Sequence, residues 1–96
     1  MARSKSKLDD VLRLTLQDLA GAIRDFRREA GMTQEDLAFK ADIHVTYLAG
    51  IEGGHRNLSF NSLMKVAYGL EKPLSVLLAA AETKSRERSS HIEPSS

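Results

Sequence analysis

The sequence predicts an all-α fold of five helices, and three observations carry that expectation. Apolar residues recur at spacings of three and four along most of the chain. Ser, Thr, Gly and Pro stand between the periodic stretches, where caps, stops and turns need them. No alternating run bounded by turn residues is present, so no strand is expected.

The first helix is read from Leu16, Leu19, Ala20, Ile23, Phe26 and Ala30, which form one apolar stripe. Thr15 with Asp18 fits a capping box at its start, and Gly31 supplies the left-handed residue that ends many helices. A second capping pattern lies upstream at Ser6-Lys7-Leu8-Asp9, followed by Leu8, Val11 and Leu12. It marks either a short extra helix or a continuation of the first. Thr33 caps a second helix whose inner face is Leu37, Ala38 and Ala41, with Glu35 and Asp36 at the positive end of its dipole. That helix has room for about two turns before Asp42. A third runs from His44 to Glu52, burying Ile43, Leu48 and Ile51, and stops at Gly53-Gly54. Ser59 caps a fourth that buries Leu63, Val66, Ala67 and Leu70, and Pro73 opens a fifth with Leu74, Leu77 and Leu78. From Lys84 onward no apolar period is visible, and a disordered tail is expected. The organisation is therefore residues 1–14 as an arm or extra helix, 15–83 as the domain and 84–96 as the tail.

Composition narrows the function classes. Ninety-six residues make one domain, and with aromatics at 5% the core must be built from Leu, Ile, Val and Ala. The chain has no cysteine, so neither a disulfide framework nor a thiolate metal site is available. No apolar run approaches the roughly 18 residues that span a bilayer. The basic start, MARSKSK, leads into Leu8-Asp9-Asp10 rather than a signal peptide's apolar region. A soluble cytoplasmic protein without membrane association is expected. Catalysis needs a nucleophile or acid–base pair in a sheltered cleft, and three scattered histidines do not supply one. No enzyme activity, no cofactor and no metal are expected. Net charge is +1, and residues 31–83 hold four Lys/Arg against six Asp/Glu. Any attraction for phosphate must therefore come from local placement.

Two short helices joined by a tight turn, Thr33 to Glu52, have a mechanical use. The first lies across a DNA backbone while the second projects side chains into the major groove. Ala38 is small where the helices touch, Gln34 stands at the first helix's start, where a phosphate is favoured, and His44, Thr46 and Tyr47 open the second.

The string GMTQEDLAFKADIHVTYLAGIEGGHRNLS, Gly31 to Ser59, followed by SLMKVAYGL, resembles the Cro/CI-type (XRE) helix-turn-helix regulators. Within them it looks most like the controller proteins of restriction-modification systems. The resemblance covers about Leu16 to Leu78 and implies a lambda-repressor-like domain. It implies that Thr33 and Gln34 meet a phosphate and that His44, Val45, Thr46 and Tyr47 face bases and flanking phosphates. His55, Arg56 and Asn57 would approach the backbone from the loop. Arg27 and Glu52 match a structural ion pair, and Leu74, Leu77 and Leu78 match a two-fold dimer surface. Controllers tend to carry Arg where this chain has Val45, so their operator does not transfer.

Two functions follow as expectations. One is a transcriptional regulator, autoregulatory like a controller and of unspecified sign, binding a palindromic double-stranded operator as a homodimer. The alternative is an antitoxin or regulatory adaptor whose domain mainly holds a protein partner through the N-terminal arm or tail. The bland readings stand beside them: Thr33 as a cap only, Gln34 as solvated, Tyr47 as a core aromatic, and Arg3, Lys5 and Lys7 as a solvated arm.

Overall fold

The computed structural model describes residues 7–55 and 58–91. Among them are five helices and no strand: α1 (Lys7–Glu29), α2 (Gln34–Ala41), α3 (Val45–Glu52), α4 (Phe60–Leu70) and α5 (Leu74–His91). α1 lies along α5, α2 packs on α4, and α3 fits against α1 and α2. Ile23, Leu37, Leu48, Ile51, Val66 and Leu77 are fully buried, one or more from each helix. No helix among the described residues is long and apolar enough to cross a membrane.

Side-chain caps set the middle boundaries. Thr33 Oγ1 accepts from the Asp36 amide at 3.0 Å, and Asp36 Oδ2 accepts from the Thr33 amide at 2.9 Å, a reciprocal box that starts α2. Ser59 does the same work for α4, accepting from the Ser62 amide at 3.1 Å. α2 ends at Asp42 in the left-handed region, φ 58°, and the Ile43 amide then closes back onto the Ala38 carbonyl at 3.0 Å. This turns the chain sharply into α3.

α2 and α4 approach closely at Gly69. A Cβ there would stand 3.0 Å from the Ala41 backbone nitrogen and 2.9 Å from Leu37 Cδ1. Glycine is the residue that lets the two helices meet.

At the N-terminal end the structure takes one of the two readings left open, and at the C-terminal end it differs from expectation. α1 is one continuous helix from Lys7, so the upstream capping pattern continues it rather than adding a helix, and Thr15 starts nothing. No Gly or Pro intervenes before Gly21 to stop it. Likewise the segment from Lys84 to His91, expected as disordered tail, extends α5. Lys84 Nζ pairs with Asp25 at 2.8 Å, and Arg88 pairs with the nearly buried Asp18. The face that continues from Leu77 and Ala81 is held by charge rather than apolar contact, which hydrophobic periodicity does not register.

Candidate nucleic-acid interface

Three helices are tied together at the C-terminal end of α3. Glu52 is 2% exposed, and its carboxylate accepts from Arg27 Nε at 2.7 Å and Nη2 at 3.0 Å. Arg27 Nη1 also reaches the Met32 carbonyl at 2.9 Å. Gln34 Nε2 donates to Glu52 Oε1 at 3.0 Å, bringing the first residue of α2 into the same cluster. Arg24 donates to the Glu52 backbone carbonyl, covering a carbonyl at the end of α3. One carboxylate therefore sets the angle of α3 against α1 and α2.

Beyond this anchor, α3 turns its inner face to the core through Leu48, Ile51 and Glu52. Thr46 and Ala49 are exposed on the opposite side, and Gly50, next to Ala49 in the chain, is half-buried. His44 is the exposed N-cap, with extended backbone and no side-chain cap hydrogen bond. Val45 and Tyr47 are half-buried and pack against the core cluster. The Tyr47 hydroxyl accepts from Ser62 Oγ at 3.2 Å, linking α3 to the start of α4.

The expected site residues thus separate into three groups. Thr33, His44, Thr46 and His55 lie on the surface. Gln34, Val45 and Tyr47 have structural partners, so Gln34 is not the purely solvated side chain of the bland reading. Arg56 and Asn57 lie outside the described residues, as do Arg3 and Lys5. The Arg27–Glu52 pair is present and bidentate. Among the dimer-surface residues Leu77 is corrected: it is wholly buried within this chain and unavailable to a partner, while Leu78 is 42% exposed and Leu74 half-buried. Arg24 had no sequence signal beyond its charge.

With this geometry in view, the comparisons with known proteins are informative. Residues 23–77, more than half the chain, match the family model described as Helix-turn-helix. The chain belongs to the Cro/CI-type helix-turn-helix family.

Its similarity to restriction-modification controllers is direct. This helix-turn-helix protein is 36% identical over 61 residues to the control protein C.MunI of Mycoplasma sp, covering 62% of this chain and 82% of the relative. It is 43% identical over 42 residues to the control protein C.BamHI of Bacillus amyloliquefaciens. That match covers 44% of this chain and about half, 52%, of C.BamHI. Among solved structures, the wild-type restriction-modification controller protein C.Esp1396I superposes with a TM-score of 0.72 at 37% identity, covering 76% of this chain and 95% of that one. The same controller has been solved as a tetramer with its natural 35 base-pair operator; that form gives a TM-score of 0.70 at 38% identity, covering 73% and 92%.

Proposed function

We propose that this helix-turn-helix protein is a transcriptional regulator of the controller kind, binding a palindromic operator as a homodimer with α3 in the major groove. The observation that carries this reading is the exposed outer side of α3, held at a fixed angle by the Glu52 cluster, in a chain 38% identical to a controller solved on its operator. A single unit of this size addresses few base pairs, and two half-sites about one helical turn apart supply the rest of the specificity. The reading is of a DNA-binding protein of the cytoplasm, not of an enzyme, and autoregulation of its own gene is part of it. The partner surface is the exposed part of α5 around Leu78, with Leu74 at its edge.

Selection from random duplex DNA tests it. An inverted repeat is expected, with half-site centres about 34–36 Å apart and affinity that falls steeply with added salt. Recovery of no preferred repeat overturns the proposal.

A further inference from the structure

Major-groove bases are read most strongly by Arg, Lys, Asn, Gln, Asp and Glu, whose side chains make bidentate or directional hydrogen bonds to base edges. α3, VTYLAGIE, holds one residue of that set, Glu52, and it is buried and occupied by Arg27 and Gln34. Val45 is seated against the core, and the Tyr47 hydroxyl is engaged by Ser62. Of α3's own side chains, those left to meet bases are Thr46 and Ala49, both exposed, with His44 exposed at the N-cap before them.

These two present methyl groups. A threonine hydroxyl accepts or donates to more than one base and discriminates little, whereas a methyl group packs against the C5-methyl that thymine alone carries. Thr46 and Ala49 are three residues apart on one face, about 4.5 Å along the helix axis. That is close to the spacing of about 3.4 Å between neighbouring bases of a strand. Half-buried Gly50, one turn on from Thr46, adds no side chain beside it, so the helix axis can approach the groove closely. Resting on the operator-binding reading above, we propose that α3 chooses its half-site through the C5-methyl groups of thymines at neighbouring base pairs, touched by Thr46 and Ala49, rather than through bidentate bonds to guanine.

The test takes the half-site recovered by selection with the full chain and replaces its thymines one at a time by deoxyuridine, which lacks only the C5-methyl. Fluorescence anisotropy then reads the affinity. One or two neighbouring positions are expected to lose about three- to fivefold each, the value of one buried methyl group. Ala49→Gly should lose that sensitivity at one position and Thr46→Ser at the other, with helix content checked by circular dichroism. The deoxyuridine series uses the unaltered protein, so its result stands whether or not a variant folds. Equal affinity for thymine and deoxyuridine at every position overturns the proposal. So does a loss on 7-deazaguanine substitution with no response to deoxyuridine. Failure to recover any half-site is a different result: it overturns the operator-binding reading beneath.

Discussion

Glu52 shows how much one side chain can organise. Its carboxylate is buried, yet Arg27 and Gln34 supply it with three hydrogen bonds. A buried pair of this kind contributes little over an apolar replacement, because desolvation of both charges offsets their attraction. Breaking it is another matter, since the remaining charge stays buried without a partner. Glu52→Leu alone should destabilise by about 3–5 kcal/mol in urea denaturation, whereas Arg27→Met with Glu52→Leu should stand much nearer the natural protein. A double variant that loses as much as the two single variants together would mean that the pair is not coupled. The pairing itself was legible only through the family resemblance. Twenty-five residues separate its members, and neither charge is marked by its neighbours. Asp36 is a second case at this scale. The Thr33 backbone amide, helped by the Thr33 side chain and Lys40, holds its carboxyl below the ordinary value of 3.8. The folded value being the lower one, the box stabilises α2 above the ordinary carboxylate range and loses that effect as pH falls through the folded value. The natural protein should therefore exceed Asp36→Asn in urea midpoint at neutral pH, and the gap should close in acid.

At the scale of elements, the boundaries that the sequence revealed are those written in caps. Thr33, Ser59 and Pro73 each fix a helix start with a group that acts within a few residues, so local reading finds them. The end of α5 was missed because Lys84 and Arg88 hold it through Asp25 and Asp18, residues far away in the chain. Asp42 had a fainter mark: aspartate tolerates a positive φ, and the turn between α2 and α3 uses that tolerance. Gly69 carried no sign at all, since a glycine inside a helical pattern reads as a weak point. Its role is the contact with Ala41. Alanine is the better helix former by about 1 kcal/mol, so a helix-propensity argument expects Gly69→Ala to stabilise. The rigid Ala41 backbone at 3.0 Å reverses the sign. Gly69→Ala should lower stability by about 1–3 kcal/mol, the usual range for overpacking, and a gain in thermal midpoint would contradict the close approach.

For the whole molecule, the proposed dimer separates two faces of α5. Leu77 belongs to the protomer core and Leu78 to its surface. Leu78→Glu should leave the helix content unchanged, yield monomers in sedimentation velocity and weaken operator binding. Leu77→Glu should unfold the chain. A Leu78→Glu protein that still sediments as a dimer would place the interface elsewhere. Adjacent leucines with opposite duties explain why the family resemblance implied a partner surface for both: it marks an apolar region, and only the helix phase relative to α1 divides it. The DNA side was legible to a similar degree. The two helices and their turn could be read directly, while the outward set within α3 reduced to Thr46 and Ala49, with His44 at its N-cap, only once Val45 and Tyr47 were seen to pack inward.

The Glu52 cluster anchors α3 from behind and from its C-terminal end, so the two residues facing outward have no share in holding the helix. Exposed positions free of such contacts change stability by about 0.5 kcal/mol or less when substituted. Mutation at Thr46 and Ala49 can therefore wander through many side chains with the frame intact. For a lineage of such proteins, retargeting to a new operator and survival as a folded chain become separate problems, and the first can be explored without endangering the second.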